Sequence, residues 1–297
     1  MARKRVLISY AHPDDESFGN GGLIAKYVAE GADVYLICAT DGDVGTIPEA
    51  MQGQYDSVRE LRLSELHAAN EILKFKQMFL FHYHDSGMMG AETNHQEGAL
   101  WQAWETQPEQ VTRQVVEVIR EVHPQVVITF NKYGGYGHPD HIAIQRATTE
   151  AFSLAGDASY ITDGQAPYQP QKLYYSAMPA RLLKLMLFWM KLRGQDTKRM
   201  GVNKDIDFDA IVEHVEPTHT EVDIADYLDA WDAASACHKS QGGGGGGFFG
   251  RFPRWLQRIL RGKQRFTRVY PQPAQDRIDE QDLFEQVTLD EAHPQHA

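Results

Sequence analysis

Arg5-Val6-Leu7-Ile8-Ser9-Tyr10-Ala11 runs straight into His12-Pro13-Asp14-Asp15-Glu16. The first seven residues read as a short β-branched strand and the next five as a stiff polar turn at its end. Outward from this junction the same unit recurs. Residues 22–30 read as a helix, 33–39 as a second strand and 58–73 as a helix with Leu61, Leu66, Ala69 and Leu73 on one face. A third strand is expected at 78–83. A helix over 109–122 stops at His123-Pro124, where the proline disfavours helical geometry in the residue before it. A fourth strand follows at 126–130, then a helix over 141–155. Strands alternating with amphipathic helices imply parallel βαβ units. The expected fold is therefore α/β: a Rossmann-like, mostly parallel sheet with helices on both faces and a C-terminal elaboration.

Residues 1–178 are expected to form the catalytic core, and 179–297 an elaboration completing the same domain. Within the latter, 172–177 leads in as a strand and 180–192 reads as a helix. Residues 221–238 begin as strand or loop and become helical through Tyr227, Leu228 and Trp231. The six glycines at 242–247 make a flexible loop. A short strand near 268–270 and a last helix around 281–287 complete the expectation.

Composition narrows the function. In 297 residues, 29 Lys and Arg face 41 Asp and Glu, a net charge of −12. That sign is wrong for neutralising nucleic-acid phosphates and favours a small-molecule partner. The two cysteines, Cys38 and Cys237, make neither a disulfide framework nor a cysteine-rich metal site. The apolar run after the basic start is too short for a signal sequence. Residues 182–192 are apolar but carry Lys184 and Lys191 and are too short to span a bilayer. A cytoplasmic protein is the expectation.

The polar residues after each strand carry the chemistry. They are residues 12–16, then Thr40-Asp41-Gly42-Asp43, then His84-Asp85-Ser86-Gly87, then 131–141. Ligands of open parallel sheets bind beyond the carboxyl ends of the strands, so all four clusters should meet on one rim. His12 and Asp15, three apart in a proline-stiffened turn, can both face one ion. Helix capping by residues 14–16 would account for that motif alone. It does not account for His138-Pro139-Asp140-His141, which repeats the pattern behind Gly134-Gly135-Tyr136-Gly137. Taken jointly, the two motifs argue for a metal site.

These residues, with Arg62-x-x-Glu65-Leu66 and Asp85-Ser86-Gly87-Met88, resemble the LmbE/PIG-L family of zinc-dependent N-acetylglucosaminide deacetylases. The motifs come nearest to the mycothiol-pathway deacetylase and amidase. The resemblance implies that His12, Asp15 and His141 ligate zinc and that Asp14 is the general base. It implies that His138 faces the tetrahedral intermediate with Asp140 as its orienting partner, and that Tyr136 offers a hydroxyl to the oxyanion. Arg62 and Asp85 match positions contacting the sugar, and Asp43 is a further candidate for that role. The implied reaction is hydrolysis of the N-acetyl amide of an amino-sugar conjugate to acetate and free amine. The alternatives are an amidase acting on a larger amino-sugar thiol conjugate and a non-catalytic sugar-binding module. Two histidines and a carboxylate also suit Fe(II).

Two segments lie outside this reading. Residues 181–199 and 248–268 are apolar and basic at once, in an acidic chain. They fit a buried helix, an oligomer contact, a peripheral surface for anionic lipid or a lid for a substrate with an apolar tail.

Overall fold

The apolar runs become strands because both their faces can be covered by helices. In the computed structural model, which describes residues 3–200, 204–244 and 250–289, β1 (Arg5–Tyr10) is the middle one of five parallel strands. Val6, Leu7 and Ile8 on it are fully buried. Helix α1 (Asp15–Ala29) leads to β2 (Asp33–Thr40), and α2 (Val58–Leu73) leads to β3 (Gln77–Tyr83). Helices α3 (Leu100–Thr106) and α4 (Pro108–Val122) then carry the chain back across β1 to β4 (Val126–Thr129). A distorted turn, α5 (Gly134–Gly137), precedes α6 (Pro139–Leu154) and β5 (Lys172–Ala177). Helices α7 (Ala180–Leu192) and α8 (Phe208–Glu213), strand β6 (Thr220–Asp223), helices α9 (Leu228–Ser235) and α10 (Arg254–Arg261), and strand β7 (Lys263–Tyr270) follow.

The strands form one seven-stranded sheet in the order β3-β2-β1-β4-β5-β7-β6. The five strands β3 to β5 are parallel, whereas β7 runs antiparallel to both β5 and β6. Right-handed crossovers on either side of β1 place helices on opposite faces. Accordingly α1, α2 and α9 pack together, as do α3, α4 and α6. The chain winds outward in both directions from between β1 and β4, so the loops after these two strands diverge and leave a crevice.

One buried carboxylate ties the added strands to the parallel ones. Glu280 accepts from Lys172 Nζ at 2.6 Å and Tyr174 OH at 2.7 Å on β5. It also accepts from Thr220 Oγ1 at 2.7 Å on β6 and lies 2.6 Å from Arg268 Nη1 on β7.

Most expected elements are present, with informative departures. Helix α1 begins at Asp15 instead of residue 22 and bends at Asn20 (φ −130°, ψ 17°). Its glycines belong to the helix because α9 approaches them closely: a Cβ on Gly21 would lie 2.8 Å from Trp231 Cδ1. Helix α6 begins at Pro139, whose missing N–H costs nothing in a first turn. The expected helix at 281–287 is a series of turns. There Asp282 Oδ1 accepts from Phe284 N, and Glu285 Oε1 from Gln281 N, replacing helical hydrogen bonds with local side-chain ones. The glycine loop is described only through Gly244, so residues 245–249, with Phe248 and Phe249, lie outside the described residues. No described helix is long and apolar enough to cross a membrane.

Candidate metal and catalytic centre

The turn after β1 and the start of α6 bring two histidines and a carboxylate to one point. His12 N donates to Asp15 Oδ2 at 2.7 Å, fixing that carboxylate at the first residue of α1. His12 Nδ1 lies 3.5 Å from Asp15 Oδ2, and His141 Nε2 lies 3.4 Å from Asp15 Oδ1. The two histidine nitrogens are 3.0 Å apart. Tetrahedral coordination at zinc bond lengths puts ligand atoms about 3.3–3.6 Å from one another.

The tautomers follow from the outer partners. His141 Nδ1 faces the Gly134 carbonyl at 3.1 Å and must donate to it, leaving Nε2 with its lone pair. His12 Nε2 faces Asp140 Oδ2 at 3.2 Å and Asp85 Oδ1 at 3.6 Å, so the proton belongs there and Nδ1 is bare. Two lone pairs and the largely buried Asp15 carboxylate, aimed at one another, repel unless a cation lies among them, either a proton or a metal ion; without a metal, burial disfavours the His12 imidazolium but Asp85, Asp140 and Asp15 raise its pKa well above the ordinary value. The donor set therefore fits a divalent metal of the zinc or ferrous kind. Proximity also groups His12 with His138 and His141, and His12 with Asp85, His138 and Asp140. In the second group the Asp140 oxygens are taken up by Ser86 N at 2.8 Å, Ser86 Oγ at 2.5 Å and His12.

Glycine is required behind His141. Gly134 has φ +66°, and a Cβ there would meet His141 Cβ at 2.9 Å and Ile142 N at 3.0 Å. The Phe130 ring stacks on His141 with centroids 3.9 Å apart, closing the other side. Burial lowers the His141 imidazolium to about 4, with the His12 charge adding to the effect and Asp15 opposing it. Burial opposes the ionised form of Asp15, but His141 and His12 overcome it and hold this carboxyl well below the usual range.

Asp14 lies beside this trio. Its φ of 150° is rare for a side-chain-bearing residue, and such strain gathers at functional sites. Three contacts hold the conformation: Arg62 Nη2 donates to Asp14 Oδ2 at 3.0 Å and to the Pro13 carbonyl at 2.8 Å, and Asp14 N donates to Glu16 Oε2 at 3.0 Å. Burial raises the Asp14 carboxyl to about 7, with Arg62 pulling it down and Asp15 pushing it up.

His138 caps α6: its Nδ1 accepts the Asp140 backbone N–H at 3.2 Å. The His138 proton is therefore on Nε2, 3.9 Å from Asp85 Oδ1. Burial, reinforced by His12 and His141, holds this ring neutral. The expected partnership of His138 with the Asp140 side chain differs in detail, because the carboxylate turns to His12 and only the backbone serves His138. Tyr136 packs edge-on against His138 and His141, with centroids 6.0 and 5.0 Å away.

The three residues expected at the sugar are dispersed in role. Arg62 is buried against Asp14 and Pro13. Asp85 accepts from Gly87 N at 2.8 Å and faces His12 and His138. Asp43 stands behind it, accepting from Asp85 N at 2.9 Å and pairing with His84 Nδ1 at 2.5 Å.

The motifs did not disclose the Glu16–His238 pair. His238 is fully buried, and its Nε2 lies 2.8 Å from Glu16 Oε1 across 222 residues of sequence. The local signal for it was the polar His238-x-Ser240-Gln241 segment that follows the helical run through Trp231. Nearby, Glu65 accepts from Ser240 N at 2.8 Å and Ser240 Oγ at 2.6 Å, fastening the same segment to α2.

Comparison with known proteins identifies the family. The chain is 36% identical over 247 residues to the 1D-myo-inositol 2-acetamido-2-deoxy-alpha-D-glucopyranoside deacetylase of Streptomyces avermitilis, covering 80% of this chain and 83% of that one. It is 36% identical over 262 residues to the enzyme of the same name from a Nocardioides species, covering 83% and 86%. The PIG-L family, described as GlcNAc-PI de-N-acetylase, matches residues 7–152. The chain belongs to the PIG-L family. Both His-Pro-Asp motifs of this family member, at 12–16 and 138–141, fall within the matched span. Its fold is shared with the N,N'-diacetylchitobiose deacetylase of Pyrococcus horikoshii, at TM-score 0.60 and 19% identity over 92% of this chain and 88% of that one. The fold is also that of the 4-carboxy-2-hydroxymuconate hydratase of Pseudomonas putida, at TM-score 0.58 and 18% identity over 92% and 98%. One scaffold thus serves a deacetylase and a hydratase, and function has to be argued from the site.

Proposed function

We propose that this protein is a metal-dependent deacetylase that hydrolyses the N-acetyl amide of a 2-acetamido-2-deoxyglucoside conjugate. The observation that carries the reading is the convergence of His12 Nδ1, His141 Nε2 and the Asp15 carboxylate, with the carboxylate of Asp14, held by Arg62, in the same turn. The named activity of the relatives supports the substrate class, with a polyol such as inositol as the aglycone.

In this reading His12, Asp15 and His141 hold a divalent cation, zinc by preference. The cation supplies Lewis acidity, polarising the acetyl carbonyl and acidifying water. Asp14 accepts the proton of the attacking water as the oxygen adds to the amide carbon. Arg62 keeps that carboxylate aimed and, with the cation, keeps it ionised against burial. His138 Nε2–H and the Tyr136 hydroxyl donate to the oxygen on which charge develops. As the C–N bond breaks, Asp14 returns its proton to the amine nitrogen, leaving acetate and the free amino sugar. Asp85, facing His12 and His138, and Asp43 behind it are the acceptors for sugar hydroxyls in this reading.

The test is to load the purified protein with zinc, or with Fe(II) without oxygen, and supply 2-acetamido-2-deoxyglucosides differing in aglycone and acyl group. Equal yields of acetate and primary amine are expected. Amine release only from longer acyl groups would favour the amidase reading, and sugar binding without release would refute catalysis.

A further inference from the structure

Helix α7 is covered on its inner side only. Leu183 is its sole buried residue, while Leu185, Phe188, Trp189 and Leu192 are 53%, 59%, 49% and 64% exposed. These four recur at intervals of three and four, so they form one outward apolar stripe. Arg181, Lys184 and Arg193 flank the stripe and make no ion pair among the described residues, and α7 contains no acid. Helix α10 adds Trp255 at 65% and Ile259 at 67% exposure. Its cations are spent differently: Arg254, Arg258 and Arg261 pair with Asp229, Asp226 and Asp232. The two helices border one groove. Leu182 of α7 and Leu260 of α10 line a cavity of about 420 Å³ with Phe18 and Trp231. It adjoins a second of about 340 Å³ that reaches Phe130 and Gly135, the residues against His141.

We propose that α7, assisted by α10, docks the protein on an anionic lipid bilayer, with the groove mouth at the lipid surface. Protruding aromatic and aliphatic side chains with cations on their flanks are the form of a helix lying in an interface. The groove is lined by Leu182, Leu260, Phe18 and Trp231 and by none of the four stripe residues, so a peptide seated in it would leave the convex α7 stripe bare. A two-fold contact between copies would set Arg181, Lys184 and Arg193 against their own counterparts with no acid on the helix to answer them. The unpaired cations instead match a surface of anionic headgroups, in a protein whose net charge of −12 otherwise opposes such a surface. This inference stands apart from the catalytic assignment, since none of these residues belongs to the metal centre.

The experiment is flotation of the intact protein with vesicles of phosphatidylcholine alone and of an equimolar mixture with phosphatidylglycerol. Binding is expected to the mixed vesicles at low salt, weakening as salt rises. The triple variant Arg181→Gln, Lys184→Gln, Arg193→Gln should bind about 100-fold more weakly. Phe188→Ser with Trp189→Ser should weaken binding at least tenfold, with the melting temperature unchanged because both rings are exposed. If the serine variant melts early, the glutamine variant alone decides. Absence of binding at low salt, equal binding to both vesicles, or undiminished binding by the glutamine variant overturns the proposal. So does sedimentation showing a dimer that Trp189→Ser dissociates, which would assign the stripe to a second copy.

Discussion

Replacing Asp140 with asparagine tests the ligand set without touching it. Asp140 is fully buried, and its carboxylate receives Ser86 N at 2.8 Å and His12 Nε2 at 3.2 Å on Oδ2, and Ser86 Oγ at 2.5 Å on Oδ1. An asparagine fits the same space with its carbonyl oxygen in the Oδ2 position, so both donors there keep an acceptor. Its amide then points at Ser86 Oγ, which already accepts from Trp101 N at 2.9 Å and can accept again. The fold should survive, and what is lost is the negative charge that makes His12 Nδ1 a better base. Removing such an outer partner weakens metal binding about 10- to 100-fold, or roughly 1.4–2.7 kcal/mol. The measurement is competition for zinc against a chromophoric chelator, beside thermal melting of the metal-stripped protein. Unchanged affinity would refute the claim that His12 binds through Nδ1 with Asp140 behind it. A loss of many thousandfold would instead make Asp140 a direct ligand, as mere proximity allows.

Three further outcomes follow from the same geometry. Asp14→Asn should keep its metal and its hydrogen bond from Arg62 while turnover falls about 10²- to 10⁴-fold, and metal loss in this variant would show the wrong aspartate assigned as base. His238→Leu should lower kcat with KM little changed, because Glu16 loses the partner that steadies the Asp14 backbone. His238→Gln, which can still donate to Glu16, should recover part of it, and equal behaviour of the two variants would sink this positioning role. Glu280 supplies the pH dependence: burial opposes its charge, but Lys172, Tyr174 and Thr220 hold its carboxyl below the ordinary value. A depressed carboxyl contributes stability that is complete above its unfolded pKa of about 4.3 and fades as pH falls through the lower folded value. Glu280→Gln should therefore melt earlier at pH 7 and lose less on acidification than the parent, and parallel acid curves would contradict it.

Much of the molecule was legible along the chain. The strands and the helix at 58–73 announce themselves through local periodicity, because a strand or helix selects its apolar positions from neighbours in sequence. The metal motifs were legible for a related reason: His12 with Asp15, and His138 with His141, each sit within four residues on a turn stiffened by proline. The fold expected for a parallel α/β protein, and the rim where those motifs meet, follow from the alternation of strands and helices along the chain. Contacts made at a distance were not legible. Helix α1 starts seven residues early and takes Gly21 into its interior, where Trp231, far along the chain, packs in the space a side chain would need. The Asp140 carboxylate serves His12 rather than its neighbour His138 because α6 points it across the crevice at the β1 loop. The Glu16–His238 and Glu280 networks join residues separated by as many as 222 positions, and the basic residues of α10 find acids on other segments. Sequence pattern determined the local elements and the ligand types, since those depend on short-range sterics and chemistry. Which carboxylate orients which histidine, and which cations remain unpaired, were decided only when the tertiary structure set the distances over which charges and hydrogen bonds act.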